Sequence, residues 1–256
     1  MIFLKTLKTL VKLSLLEFVR EKVVWIFIFV AVALYGLSLI LGALSFSEKQ
    51  RILSDFGWMT ILVSNLGIVL FLGSSWLQKE MTHQTCLMVL ARPVSREQFY
   101  LGKFLGIWSL SFILQALMAL MLWALLHFEY SAAAFSQIFI GTFLEVSLIL
   151  SLSFFAATFL RSSLAFLFGF GIFLIGHWMQ EIEFFGRKAQ NLFFVTLGGA
   201  LKWVTPNLFQ MNWRSIYFLE NGVPFEQIIW VTFHAIAWIL FLASAGNAIF
   251  RRRDLV

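Results

Sequence analysis

One acidic residue, Glu145, stands inside an otherwise charge-free apolar run from Ser131 to Leu160. An ionised carboxylate inside a bilayer costs a few kcal/mol on insertion scales, so it must face protein or a water-filled cavity, or carry a proton. Either it lines a transport or conformational pathway, or it hydrogen-bonds a neighbouring helix and fixes packing. If it only ties helices together, glutamine is expected to serve in its place and leucine is not. Asn65 and Gln115 lie in similar apolar surroundings and read as interhelical hydrogen-bond partners.

No reaction centre emerges beside these residues. The histidines at 83, 127, 177 and 234 fall in different segments, and only His177 with Glu181 has the spacing of two ligands on one helix face. Two ligands make a weak metal site, so no bound metal is expected. No Ser, His and acid set is close enough in sequence to nominate a hydrolase. The single cysteine, Cys86, excludes an internal disulfide and a Cys-rich metal site. Gly102 and Lys103 lack both the upstream glycine and the following Ser or Thr of a phosphate-binding loop, so the chain is not expected to be an enzyme or to bind a cofactor.

The elements that must position these residues follow from composition. Of 256 residues 61% are hydrophobic and 12% charged, with 31 Phe and 10 Trp, which no soluble fold of this size could hide. Lipid must be the solvent. Crossing a hydrocarbon layer of roughly 30 Å takes about 20 apolar residues. Six runs qualify: Val23 to Leu44, Gly57 to Leu77, Phe104 to Leu126, Ser131 to Leu160, Ser162 to Gln180, and Gln227 to Phe250. None alternates as a barrel strand would. A shorter run, Ala189 to Val204, carries Gly198, Gly199 and Lys202 and reads as interfacial or re-entrant. The expected fold is an all-α integral membrane protein of six transmembrane helices.

Basic loops stay on the cytoplasmic side. With the N-terminus inside, that side holds 13 of the 19 Lys and Arg residues, while the other face balances its six with seven acids. The net charge of +6 is thus topology, not nucleic-acid affinity. A multi-pass protein with both termini cytoplasmic is expected. The first span is too long for a signal-peptide core, and the segment before it is itself organised. Phe3, Leu4, Leu7, Leu10, Val11, Leu15 and Phe18 share one helical face opposite Lys5, Lys8 and Lys12. Residues 1–22 therefore read as an interfacial helix with its lysines toward anionic headgroups.

Residues 78–103 form the one cytoplasmic connection long enough for structure of its own. Glu80 to Ala91 reads as a helix exposing Leu87, Met88, Val89 and Leu90, and Pro93 stops it at Arg92. Ser95 and Gln98 have the spacing of a capping box opening the next helix. The hairpin is either a solvated connector or a docking knob whose apolar core is rimmed by Arg92, Arg96 and Glu97.

The run of Lys79 and Glu80, Thr85, Leu87 and then ARPVSREQFYLGKFLG resembles the cytoplasmic loop of ABC-2 type permeases, membrane subunits of ABC exporters with a type V exporter-like fold. Within that class the chain is most similar to permeases grouped with copper-enzyme maturation systems. TPNLFQMNWR at Thr205 to Arg214 and FRRRDL at Phe250 to Leu255 agree with it, so the resemblance covers a single domain, 1–256. One departure is Gln84, where the family often has Gly. The resemblance implies that Glu80, Thr85, Leu87, Met88, Leu90, Arg92, Pro93 and Arg96 meet a separate ATPase subunit, present in two copies with ATP and Mg. It also implies a second permease copy, identical or different, in the cytoplasmic (inner) membrane.

Gly169, Gly171 and Gly176 in the fifth span allow close helix approach, either within the subunit or at a dimer interface. Residues 181–226 are too long for a simple connection and too apolar for disorder, and read as an ordered extracytoplasmic or re-entrant segment. Two functions are compatible with the sequence. One is ATP-driven outward export of an amphiphilic or lipid-like substrate. The other is an energy-transducing scaffold that drives an extracytoplasmic accessory protein.

Overall fold

The computed structural model describes residues 2–44, 48–82, 94–126, 131–214 and 222–252. These are helical almost throughout, as lipid demands: every backbone N–H and C=O in a span must be paired within its own segment. In chain order the helices are α1 (Ile2–Val19), α2 (Lys22–Leu44), α3 (Lys49–Thr82), α4 (Arg96–Leu125), α5 (Ala132–Ala156), α6 (Ser162–Lys188), α7 (Leu192–Val204), a 3-10 turn (Leu208–Met211) and α8 (Phe225–Arg252). Six of them, α2 to α6 and α8, are long and apolar enough to cross a membrane, and they coincide with the six runs read from sequence.

Burial ranks these helices. In the most apolar stretch of α3, 78% of residues are buried, and in that of α5, 72%, against 17% for α8 and 22% for α2. Helices α3 and α5 pack on each other as a central pair, with α2, α4, α6 and α8 around them. The outer faces of α2 and α8 show Trp25, Phe29, Trp230 and Phe233 to the surrounding lipid.

The capping box at the start of α4 forms: Ser95 Oγ accepts from the Gln98 N–H at 3.2 Å and Gln98 Oε1 accepts from the Ser95 N–H at 3.0 Å. Two boundaries differ from the sequence expectation. Helix α3 runs unbroken to Thr82, so Glu80 belongs to the end of the second span and does not begin a separate loop helix. Helix α6 does not stop near Gln180 but continues to Lys188, about 40 Å in all, and its last turns carry a Glu183 to Arg187 ion pair at 2.6 Å. The chain then reverses at Gln190, whose φ is 51°, and α7 folds back along α6. With 13 residues α7 is too short to cross.

Helix α1 packs on α4 where α4 carries Gly102 and Gly106. A Cβ at Gly102 would stand 2.8 Å from Leu10 Cβ, and one at Gly106 2.6 Å from Ser14 Cβ, so only glycine lets the two backbones approach this closely. Helix α1, the start of α4 and the end of α8 lie on one side of the bundle, here the termini side.

Candidate functional site

The termini side is built around Lys103, on α4 immediately before the apolar run of the third span. Its side chain is 9% exposed, and its ammonium reaches Glu17 Oε2 of α1 at 2.6 Å and Glu80 Oε1 of α3. The rings of Phe18 and Phe99 lie 5.5 and 5.8 Å from it. Glu80 is just as buried, whereas Glu17 is half exposed and keeps much of its hydration. A buried ammonium with a buried carboxylate is costly to break from either side, because the remaining charge has no water to turn to. Beside it Lys79 pairs with Glu21 at 2.8 Å, joining the end of α3 to the corner between α1 and α2.

Below this clamp an aromatic cluster joins four helices. Trp76 of α3 stacks on Phe154 of α5 with centroids 4.3 Å apart, and Tyr100 of α4 meets both rings edge-on. Phe250 of α8, fully buried, closes the cluster against Phe99, Tyr100 and Trp76. Arg251 then pairs with Glu97 at 2.5 Å, and Arg96 donates to the Arg251 carbonyl at 2.9 Å. Gln78 Oε1 accepts from the Ser162 N–H at 3.0 Å, tying α3 to the start of α6. The two stalks of the 83–93 connection, α3 and α4, are thus joined to α1, α5, α6 and α8.

Of the residues the resemblance nominates for ATPase docking, Glu80 sits in the clamp and Arg96 at the α4 start. Thr85, Leu87, Met88, Leu90, Arg92 and Pro93 lie outside the described residues. Sequence reasoning missed Glu17 and Lys103. The available signal was a lysine placed between Gly102 and Phe104, directly at the start of an apolar span.

Deeper in the bundle, Asn65 and Gln115 meet. Asn65 Nδ2 donates to Gln115 Oε1 at 3.0 Å, Ser111 Oγ donates to Asn65 Oδ1 at 2.9 Å, and Gln115 Nε2 donates to the Phe139 carbonyl at 2.9 Å. This network links α3, α4 and α5.

Glu145, with no exposed surface, faces two basic side chains that sequence reasoning did not assign to it. His177 Nε2 of α6 lies 3.1 Å from one carboxylate oxygen and Arg214 Nη2 lies 3.4 Å from the other. Neither contact has hydrogen-bond alignment, so charge holds the cluster. His177 Nδ1 lies 3.0 Å from the Phe173 carbonyl and so carries a proton toward it. His177 therefore turns to Glu145 and not to Glu181. Among the described residues no group of three or more His, Cys, Asp or Glu is placed to hold a metal.

The segment Thr205 to Arg214 carries Arg214 into place. Leu208 seats on Gly176 of α6, where a Cβ would come within 2.8 Å of its side chain. The Met211 carbonyl and the Trp213 ring seat on Gly141 of α5, where a Cβ would stand 2.5 Å from that carbonyl oxygen. Arg214 Nε donates to Asn212 Oδ1 at 2.9 Å, which aims the guanidinium. Gly176 and Gly169, the latter against Ser153 and Leu70, thus pack within the subunit, while Gly171 faces open space.

A comparison with curated proteins finds no match. The sequence model of one family, described as ABC-2 family transporter protein, matches residues 10–180, from within α1 to the membrane-spanning part of α6. With six apolar helices and a family model that covers most of its length, the chain belongs to the ABC-2 transporter family and is a membrane permease subunit of an ABC transporter.

Proposed function

We propose that this permease couples ATP hydrolysis by a separate ATPase subunit to outward export of an amphiphilic or lipid-like substrate, with two ATPases and two permease copies in the working unit. The observation that carries the reading is the platform of Lys103, Glu80, Trp76 and Phe250, which ties both stalks of the 83–93 connection to three further helices, α1, α5 and α8. A connector with no mechanical duty has no need of a buried ion pair at its base. The ATPase docks on that connection, and ATP and Mg belong to the ATPase. The chain should therefore co-purify with an ATPase, and Leu87→Asp should weaken the assembly by placing a charge in an apolar contact. Unchanged co-purification and coupled hydrolysis at normal expression would count against the docking site.

In this reading the termini side is cytoplasmic, in the inner membrane, because it carries the excess of Lys and Arg. Cysteines placed at Gln190 and Pro206 should both be labelled from outside by an impermeant reagent. Labelling from opposite sides would mean that α7 crosses.

The scaffold reading has its own support on the far side. A cavity of about 520 Å³ between α6 and α7, lined by Trp178, Ile182, Phe185 and Phe194, offers an apolar seat for an accessory protein of the kind the resemblance to copper-enzyme maturation permeases implies. Reconstituted complexes separate the two: export accumulates a compound in liposomes, whereas scaffolding shows ATPase control by a soluble partner without accumulation.

A further inference from the structure

Helix α1 uses only one of its faces for packing. Leu10, Ser14 and Phe18 are buried or half-buried against α4, while Lys5, Lys8 and Lys12 lie on the opposite face, all exposed. None of the three forms an ion pair among the described residues. Flanking this stripe, Leu4 is 68%, Leu13 58% and Leu16 46% exposed. A row of ammonium groups bordered by leucines fits the boundary between headgroups and acyl chains, where leucine enters the apolar layer and lysine stays with the phosphates. The first spanning helix begins at Lys22, three residues after α1 ends, so the stripe is held at the membrane surface.

We propose that the Lys5, Lys8 and Lys12 face of α1 is a binding surface for anionic phospholipid headgroups, and that its occupancy steadies the base of the 83–93 connection through Glu17 and Lys103. The exposed leucines favour a lipid surface over an acidic protein, since a protein partner in water would leave them uncovered. The link inward is short. Gly102 and Gly106 hold α1 against α4 without a gap, and Glu17 shares the Lys103 ammonium with Glu80. A shift of α1 therefore removes one of the two carboxylates from a buried cation at the foot of the connection. The regulatory half of this proposal rests on that connection being the ATPase dock, whereas the lipid surface does not.

The test uses the full chain in nanodiscs and needs no ATPase. Native mass spectrometry with equal phosphatidylglycerol and phosphatidylcholine reads lipid preference, and a fluorophore on the single cysteine, Cys86, reads the connection. The wild type should retain phosphatidylglycerol preferentially and shift its emission as that lipid is added. The triple variant Lys5→Gln, Lys8→Gln, Lys12→Gln should lose about tenfold or more of the preference, given attraction of roughly fivefold per lysine near an anionic surface. Glu17→Gln should keep the preference but lose the emission response. A triple variant with unchanged preference, or no preference in the wild type, overturns the lipid surface. A wild type with preference but no emission response, or a Glu17→Gln variant that still responds, overturns the transmission. Failure to find an ATPase partner would overturn the proposed function and, with it, the regulatory half, and would leave the lipid surface standing.

Discussion

Lys103→Met should sharply reduce the stability of the permease, and adding Glu80→Gln should restore much of the loss. Methionine keeps the length and apolar stem of the lysine but takes from the buried Glu80 carboxylate, whose side chain is 8% exposed, the ammonium it pairs with. Breaking a buried pair from one side costs about 3 to 5 kcal/mol, whereas removing both charges approaches neutral. Glu17 is half exposed and returns to water at little cost. Thermal unfolding of the single and double variants in detergent measures the difference. A single variant as stable as the wild type, or a double variant no better than the single, would show that Lys103 and Glu80 are not coupled as their geometry indicates.

The parts of this fold legible in the sequence are those set by local rules. Charge-free length locates the six spans because the cost of a charge in lipid acts on each residue separately. The Ser95 and Gln98 capping box is equally local, since both partners lie within one helical turn. What could not be read are meetings between distant residues. Lys103 finds Glu17 at a separation of 86 residues, and no pattern in either segment names the other. Glu145 shows why an intramembrane acid needs a partner, but not that Arg214 comes down from the far side to provide it. Arg214 looks like one more exposed topology charge until Leu208 and Trp213 are seen seated on Gly176 and Gly141. The end of α6 escapes the sequence for a different reason. An apolar window closes at Glu181, but a helix outside the bilayer needs no apolar residues, only continued hydrogen bonding and pairs such as Glu183 with Arg187.

Glu145→Gln should therefore be more damaging than sequence alone suggests. Considered by itself, glutamine keeps the shape and much of the hydrogen-bonding capacity of glutamate. Beside Arg214, whose side chain is 13% exposed, it removes the counter-charge of a largely buried guanidinium. The expected cost is about 3 kcal/mol, the scale of an uncompensated charge within a membrane protein. Glu145→Leu should cost at least as much, since it also removes the polar contact with His177. The compensated pair Glu145→Gln with Arg214→Gln should recover stability, because neither charge is then left alone. That double variant also separates the two roles open to Glu145. If the cluster serves only to hold the Thr205 to Arg214 segment against α5 and α6, the double variant folds and supports coupled ATP hydrolysis near the wild-type level. If the charges take part in the cycle, it folds and assembles yet loses coupling. We expect the first outcome, since Glu145 has no exposed surface and the segment bearing Arg214 fits the bundle by steric contact as well as by charge. A Glu145→Gln single variant with wild-type stability would remove the basis for both, by showing that Arg214 does not depend on the carboxylate it faces.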